Sequence, residues 1–258
     1  MTDLSSGPRI AVLVKQVPDP AQITVDRRTR RAVIAGSPVV NTFDSYAIAE
    51  AIDLKDRYGG DVTVVSAGPP TARDAILRGL GTGADRGIHL LVSDLESRDS
   101  LALATLLADV LREHEFDIIL AGQTSEDLET AQTGPQVAEL LDIPHVSLVT
   151  SLEINDHELR VRRDSEGRKQ IAAVSMPAML LVLTGRDGEQ RHPTLKGMMQ
   201  AKRKPIEIID GPVSSAAPPM TWSEPEAPER VRTATILQDV PPQAARQLVE
   251  WLRAKLLV

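Results

Sequence analysis

Short runs of apolar, often β-branched residues recur along the chain without polar alternation, and helical patterns separate them. Ile10-Ala11-Val12-Leu13-Val14 is the first, closed by Lys15. Asp61 to Ala67 (DVTVVSA), Gly87 to Val92, Asp117 to Leu120 (DIIL) and a stretch near Val146–Val149 follow. A strand that is apolar on both sides must be covered on both sides, which is the situation of a parallel sheet between helices. Ala47, Ala51 and Leu54 recur at i, i+4 and i+7 within Ser45–Tyr58. That spacing predicts a helix stopped by Gly59-Gly60, with Thr42 or Asp44 as its cap. Further helices are expected from Thr71 to about Gly81, over 98–114 (Ala104, Leu107, Ala108 and Leu111 on one stripe) and around Pro135–Leu141. Strand and helix thus alternate to residue 150. Right-handed crossovers turn that pattern into an α/β fold, a doubly wound and mostly parallel sheet.

Three stretches depart from the alternation. Residues 16–43 hold Pro18, Pro20 and Pro38 and lack helical periodicity, so they read as an excursion with a small hairpin through Ile23–Val25 and Ala32–Ile34. Beyond residue 150, Ser151–Arg163 and Arg168–Ser175 read as a hairpin around Ser165-Glu166-Gly167, and Ala178 to Leu183 as one more buried strand. From residue 211 the composition turns to proline, serine and alanine, with Pro212, Pro218, Pro219, Pro225 and Pro228. Such a segment holds no compact fold of its own. It leads into Pro241–Leu257, where Leu248, Leu252 and Leu256 recur every four residues. The expected organisation is a domain over 1–210 and an arm with a C-terminal helix over 211–258. An amphipathic helix on an extended arm is the form of a clasp on a partner; a tail folded back on its own domain fits the spacing equally.

Composition narrows the functional classes. Lys and Arg number 29 against 36 Asp and Glu, a net charge of −7, and nucleic-acid binding needs the opposite field. There is no cysteine, so thiol catalysis, Cys-bound zinc and iron–sulfur ligation are excluded. The five histidines are scattered without metal-ligand spacing. No apolar run reaches the roughly 18 residues of a membrane span, and Met1 to Pro8 lacks a basic and an apolar signal region. A cytoplasmic protein, not embedded in a membrane, is the expectation. The nucleophile-elbow, dinucleotide-fingerprint and P-loop patterns are all missing. Gly79-Leu80-Gly81-Thr82-Gly83 precedes a strand and reads as a helix stop.

In an open parallel sheet, ligands sit beyond the carboxyl ends of the strands. Four segments fall there: Leu13-Val14-Lys15, Asn41–Asp44, Ser66-Ala67-Gly68 and Gly122–Gly134. Pro135 suits the first turn of a helix, which places Thr130–Gly134 at a helix N-terminus. Free amides and the dipole there favour an anion, with Thr130, Gln132 and Thr133 as neutral donors and a phosphate as the natural guest. An ordinary capped helix after a polar loop fits the same residues. A second constellation, Arg191 to Lys204, joins a basic cluster to Leu195, Met198 and Met199. It reads either as a docking surface or as a polar helix with a buried Leu-Met stripe.

Together these pieces resemble the β subunit of electron transfer flavoprotein, the FixA type. The carrying residues are Val12-Leu13-Val14-Lys15-Gln16-Val17-Pro18-Asp19, Asn41-Thr42-Phe43-Asp44 with its Ala-Ile-Ala-Glu-Ala helix, Val65-Ser66-Ala67-Gly68-Pro69, Gly83-Ala84-Asp85-Arg86-Gly87, the Asp127–Pro135 loop, and Pro193-Thr194-Leu195 through Ala201-Lys202-Arg203-Lys204-Pro205. They follow in family order over roughly residues 9–209.

The resemblance implies an adenine-nucleotide α-hydrolase-like fold and a non-catalytic electron carrier. It implies pairing with an α subunit that holds most of the redox-active FAD, an AMP bound structurally in the β subunit, and docking onto a flavin dehydrogenase such as an acyl-CoA dehydrogenase. In electron-bifurcating members a second FAD replaces AMP, and Glu129-Thr130-Ala131-Gln132 is similar to that branch. Carried over, the nucleotide site uses Leu13, Asn41, Thr42, Phe43, Asp44, Ala67, Gln123, Thr124, Asp127, Thr130, Gln132, Thr133 and Gly134. The docking loop spans about 183–204, with Leu195 as anchor and Lys196, Lys202, Arg203 and Lys204 beside it. Thr124, Ser125, Thr42 and the extra Gly185–Gly188 depart from the family's usual pattern. Two other classes compete: a nucleotide-hydrolysing or adenylating enzyme on the same fold, and a ligand-sensing module like a universal stress protein.

Overall fold

The computed structural model describes residues 7–184, 190–212, 220, 223, 226–228, 234 and 236–256; Gly185–Gly188 lie outside the described residues. In chain order these form β1 (Arg9–Leu13), β2 (Gln16–Val17), β3 (Ile23–Val25), β4 (Ala32–Ile34), β5 (Val39–Val40), α1 (Thr42–Tyr58), β6 (Asp61–Gly68), α2 (Arg73–Thr82), β7 (Arg86–Leu91), α3 (Ser100–His114), β8 (Ile118–Gly122), α4 (Thr133–Leu140), β9 (His145–Asn155), β10 (Glu158–Ser165), β11 (Arg168–Ser175), β12 (Ala178–Val182), α5 (Leu195–Ala201), β13 (Ile206–Asp210) and α6 (Pro241–Ala254). No helix among the described residues is long and apolar enough to cross a membrane.

Among those residues the main sheet has nine strands, in the order β11-β10-β9-β12-β8-β1-β6-β7-β13. From β9 to β13 all neighbours run parallel, and β10 and β11 extend the sheet antiparallel. The continuous apolar runs are explained by burial on both faces. Ile10 and Val12 of β1 join α1 and α2 in one core, with Ala47, Ala51, Ile76 and Leu80. Ala11 and Leu13, on the other side of the pleat, join α3 and α4, with Leu107, Leu111, Val137 and Ala138. The chain leaves β1 towards β6 and β7 and then returns past it to β8. The order therefore reverses at β1, which is where an open α/β sheet parts to form a crevice.

The doubly wound parallel fold is as the sequence predicts; several details differ. Ser151–Arg163 is not one strand. It breaks at Asp156, whose φ of 53° is left-handed, so β9, β10 and β11 form a three-stranded meander instead of a hairpin. β13 went unpredicted and pairs in parallel with β7 at the sheet edge. Neither Thr42 nor Asp44 caps α1: the N-cap is Asn41, with no side-chain capping bond. The excursion hairpin forms as expected, β3 beside β4.

Chain contacts divide the protein into one unit of residues 1–24 and 33–224 and a second of residues 25–32 and 225–258. Within the second, Ala227 N–H donates to Arg30 O (2.8 Å) and the Arg30 guanidinium returns bonds to Ala227 O. Its helix α6 ends at Ala254, so Leu256 lies beyond the helix and does not continue the Leu248–Leu252 stripe. Leu248, Val249 and Trp251 are each close to half exposed.

Candidate functional site

A cavity of about 200 Å³ opens at the point where the strand order reverses, over the carboxyl ends of β1, β6 and β8. Of the residues the sequence singles out, Leu13, Asn41, Asp44, Ala67, Gln123, Thr124, Thr130, Gln132, Thr133 and Gly134 line it together. Thr42, Phe43 and Asp127 are not in its wall. Lys15, Arg98 and Ser100 are in it, yet sequence reasoning did not propose them as nucleotide contacts. Lys15 carried a strand-end signal; Arg98 and Ser100 carried none, because helix α3 reaches the crevice only through the fold.

The floor is apolar, built from strand ends and α3: Leu13, Val65, Ala67, Leu103, Leu107 and Ala121. The rim is polar and tied to backbone. Asp44, only 6% exposed, accepts the Lys15 N–H at Oδ2 (2.7 Å) and the Gly122 N–H at Oδ1 (3.0 Å). One carboxylate thus joins the ends of β1 and β8 to the start of α1. Burial pushes its pKa up to about 7, against the backbone N–H donors that favour the charged form. Gly122 is required there: a Cβ at that position would sit 2.4 Å from Asp44 Oδ1.

Loop 123–132 is pinned over the start of α1. Asn41 Nδ2 donates to Thr124 O (2.8 Å), and Glu126 N–H donates to Asn41 Oδ1 (3.2 Å). Thr42 N–H donates to Glu126 Oε2 (3.2 Å). Lys15 Nζ closes the loop onto Asp127 Oδ2 at 2.6 Å. Burial acts to raise the Asp127 pKa, but the Lys15 ammonium and the Ser125 hydroxyl overcome it and hold the carboxyl below its ordinary range. Thr42 and Asp127 therefore act on the loop rather than on the cavity. The Gln123 side chain is likewise occupied, accepting Leu148 N–H at Oε1 (2.6 Å).

Helix N-termini at the crevice are unequal. That of α1 is taken by the Glu126 carboxylate. That of α3 is capped by Asp99, which accepts Ala102 N–H at 2.8 Å. Helix α4 starts after Gln132 with no side-chain capping bond. Its first amides, of Thr133 and Gly134, are the ones left to meet an anion. Close by, Thr124 Oγ1 is buried with no hydrogen-bond partner among the described residues. An adenylate fits this arrangement: an apolar slot for a base, an orphaned hydroxyl and an open helix end for a phosphate.

The predicted docking segment forms a separate surface. Thr194 caps α5, accepting Gly197 N–H at Oγ1 (3.0 Å). The inner face of α5 lies on α2 so tightly that a Cβ on Gly197 would sit 2.2 Å from Gly81 O, and one on Gly81 would sit 2.5 Å from Met198 Sδ. The outer face carries Leu195, 82% exposed, and Met199, 65% exposed. Lys196, Lys202 and Arg203 are exposed beside them. Lys204 points inward, donating to Leu80 O (3.0 Å) and Ala84 O (2.5 Å); desolvation lowers its pKa. Of the Leu-Met stripe, Met198 alone turns inward, partly buried against Gly81.

The model of the electron transfer flavoprotein domain matches residues 33–214. That span takes in Asn41–Asp44, the 123–134 loop and α5, and leaves out β1 and α6. The electron transfer flavoprotein subunit beta of Bacillus subtilis is 33% identical over 223 residues, covering 84% of this chain and 86% of that protein. The protein of the same name from Thermoanaerobacterium thermosaccharolyticum is 36% identical over 202 residues, 78% of this chain and 77% of its own. Protein FixA of Azotobacter vinelandii is 36% identical over 209 residues, with 77% and 73% covered.

Proposed function

This chain belongs to the electron transfer flavoprotein β subunit and FixA family, and from that premise we propose that it is the β half of a heterodimeric carrier that holds AMP in its crevice. The α subunit binds most of the FAD, and this chain completes the flavin site where the two meet. The bound flavin takes up electrons from a dehydrogenase and gives them to a downstream acceptor; the protein around it binds, orients and tunes. In this reading, Leu13, Ala67 and their apolar neighbours hold the adenine. Thr124, Thr130 and the amides of Thr133 and Gly134 hold ribose and phosphate. Leu195 and Met199 on α5 dock the dehydrogenase, with Lys196, Lys202 and Arg203 steering its approach. The arm and helix of 211–258 grip the α subunit, so removing residues 231–258 lowers heterodimer yield more than it lowers the stability of the remainder.

One observation carries the proposal: a cavity at the reversal of strand order with an apolar floor, beside which the start of α4 is uncapped and Thr124 Oγ1 is buried without a partner among the described residues. Such a site offers a nucleotide an apolar seat for its base and free donors for its ribose and phosphate.

The test is co-expression with an α subunit, denaturation of the purified heterodimer and mass measurement of what is released. One FAD and one AMP are expected. Two FAD and no AMP assign the chain to the bifurcating arrangement. A stable lone chain that turns over ATP, with no flavin in any complex, overturns the reading.

A further inference from the structure

We infer that Arg98 selects a phosphorylated ligand for the crevice, acting with the open end of α4 to favour a nucleotide over its nucleoside. The inference rests on the mononucleotide reading above and adds to it the residue that reads charge.

The crevice wall contains two cations, Lys15 and Arg98. Lys15 closes the loop, its ammonium 2.6 Å from Asp127 Oδ2 on a side chain 35% exposed. Arg98 is different. Its side chain is only 7% exposed, and Asp94 holds it in a two-point fork, Nε to Oδ1 at 3.0 Å and Nη2 to Oδ2 at 3.2 Å. Nη2 also donates to Pro212 O. Nη1 is the nitrogen that none of these bonds uses. A guanidinium fixed on one edge by a carboxylate presents its remaining donors with little side-chain entropy left to lose on binding.

Position supports the same role. Arg98 stands two residues before the first turn of α3, and Ser100 Oγ donates to Gln132 Oε1 at 3.1 Å. That bond sets the start of α3 beside the N-cap of α4, so the buried guanidinium and the uncapped amides of Thr133 and Gly134 belong to one wall of one cavity. Asp94 balances the charge of Arg98 but lies outside the cavity wall and leaves Nη1 unused, and the carboxylates within the wall are engaged elsewhere. Asp44 is committed to the Lys15 and Gly122 amides, and Asp99 to its own helix. A dianionic phosphate there meets a helix end and a pre-oriented cation, whereas an uncharged ribose hydroxyl gains little from either.

The experiment uses the full heterodimer, freed of nucleotide and equilibrated with equal concentrations of AMP and adenosine. Wild type is expected to take AMP in preference. Arg98→Gln should lower the AMP-to-adenosine ratio about ten- to a hundredfold, the scale of a charge-assisted bond in a partly dry site, with adenosine affinity unchanged. Arg98→Lys keeps the charge and loses the fork, and should recover part of the preference. If both ligands weaken equally, or if Arg98→Gln and Arg98→Lys keep the full preference, Arg98 is a structural ion pair and the inference fails while the mononucleotide reading stands. Should wild type bind neither AMP nor adenosine, the mononucleotide reading fails and takes this inference with it. If Arg98→Gln does not fold, Arg98→Met, uncharged and of similar length, takes its place: an unchanged ratio overturns the role.

Discussion

The crevice and the α5 surface share one frame and turn opposite atoms outward. Around the crevice, polar side chains face inward onto backbone: Asn41, 1% exposed, and Asp44, 6% exposed, between them bind the 124, 126, 15 and 122 positions. On α5 the backbone is clamped against α2 through Gly81 and Gly197, and the apolar Leu195 and Met199 face solvent. Ordering costs at the crevice are met when the chain folds, so a ligand entering it has little left to organise and leaves slowly. An exposed apolar knob on a rigid base is the reverse, a contact made and broken at small area, as transient partners need. A carrier of the kind proposed, which keeps a nucleotide while changing its protein partner, would use both arrangements.

Asp44 gives the strongest way to break that contrast. Asp44→Ala leaves the Lys15 and Gly122 amides without their acceptor, at about 2–4 kcal/mol for the two buried donors together. Denaturant unfolding should register that loss, and the crevice nucleotide should be lost with it. The conservative Asp44→Asn isolates the charge. Burial raises the native pKa to about 7 from 3.8, so between those values the folded chain keeps a proton that the unfolded chain releases. Wild-type stability should therefore fall as pH rises through that window and level off above it. Asp44→Asn should flatten that slope; a slope unchanged by the substitution would mean that another group titrates.

Sequence alone carries the frame further than the site. The runs of β1, β6 and β8 are apolar on both sides, and that pattern is sufficient for a parallel sheet and for a crevice at its carboxyl ends. Ten of the thirteen nucleotide residues carried over from the family line that cavity. What stays hidden is long-range pairing. Asp44 looks like a helix cap, because nothing local distinguishes a cap from a carboxylate that binds amides 29 positions before it and 78 after. Arg98 reads as one more charge near a helix start until Ser100 meets Gln132. The strand β13, Ile206–Asp210, goes unpredicted, although its Ile-Glu-Ile alternation suits a sheet edge. The break at Asp156 needs only a left-handed residue, which aspartate tolerates and no run of apolar residues announces.

The α5 side of the contrast sharpens with two substitutions. Gly197→Ala places a methyl 2.2 Å from Gly81 O, so α5 must move, at about 1–3 kcal/mol. Thermal unfolding should register it, and electron uptake from the dehydrogenase should slow because Leu195 and Met199 move with the helix. Nucleotide content should hold. Leu195→Ala tests the knob without the base. At 82% exposure its loss should leave folding within about 0.5 kcal/mol, while kcat/KM for the dehydrogenase drops roughly five- to tenfold, or about 1 kcal/mol or somewhat more at a contact hot spot. A change in flavin or nucleotide content with either variant would show that the two surfaces are not independent.

The smallest expected effect lies at the loop closure. Lys15 and Asp127 have side chains 35% and 23% exposed, so solvent screens the pair and Asp127→Asn should cost only about 0.5–1 kcal/mol. Their bond nevertheless spans the crevice, from the end of β1 to loop 123–132, so the loss should fall on loop opening. The nucleotide is then expected to dissociate two- to fivefold faster, by about the same free energy, with unfolding barely altered. The sign of the pH dependence follows from the Lys15 ammonium and the Ser125 hydroxyl, which hold the Asp127 carboxyl below its ordinary 3.8. The closure is intact at and above that value and is lost only as pH falls below it. Dissociation measured between pH 5 and 8 should thus show the same mutant-to-wild-type ratio throughout. A ratio that changes across that range would assign the opening of the crevice to Asp44, whose titration lies inside it, and would make the rim respond to pH through its deepest carboxylate instead of its outermost pair.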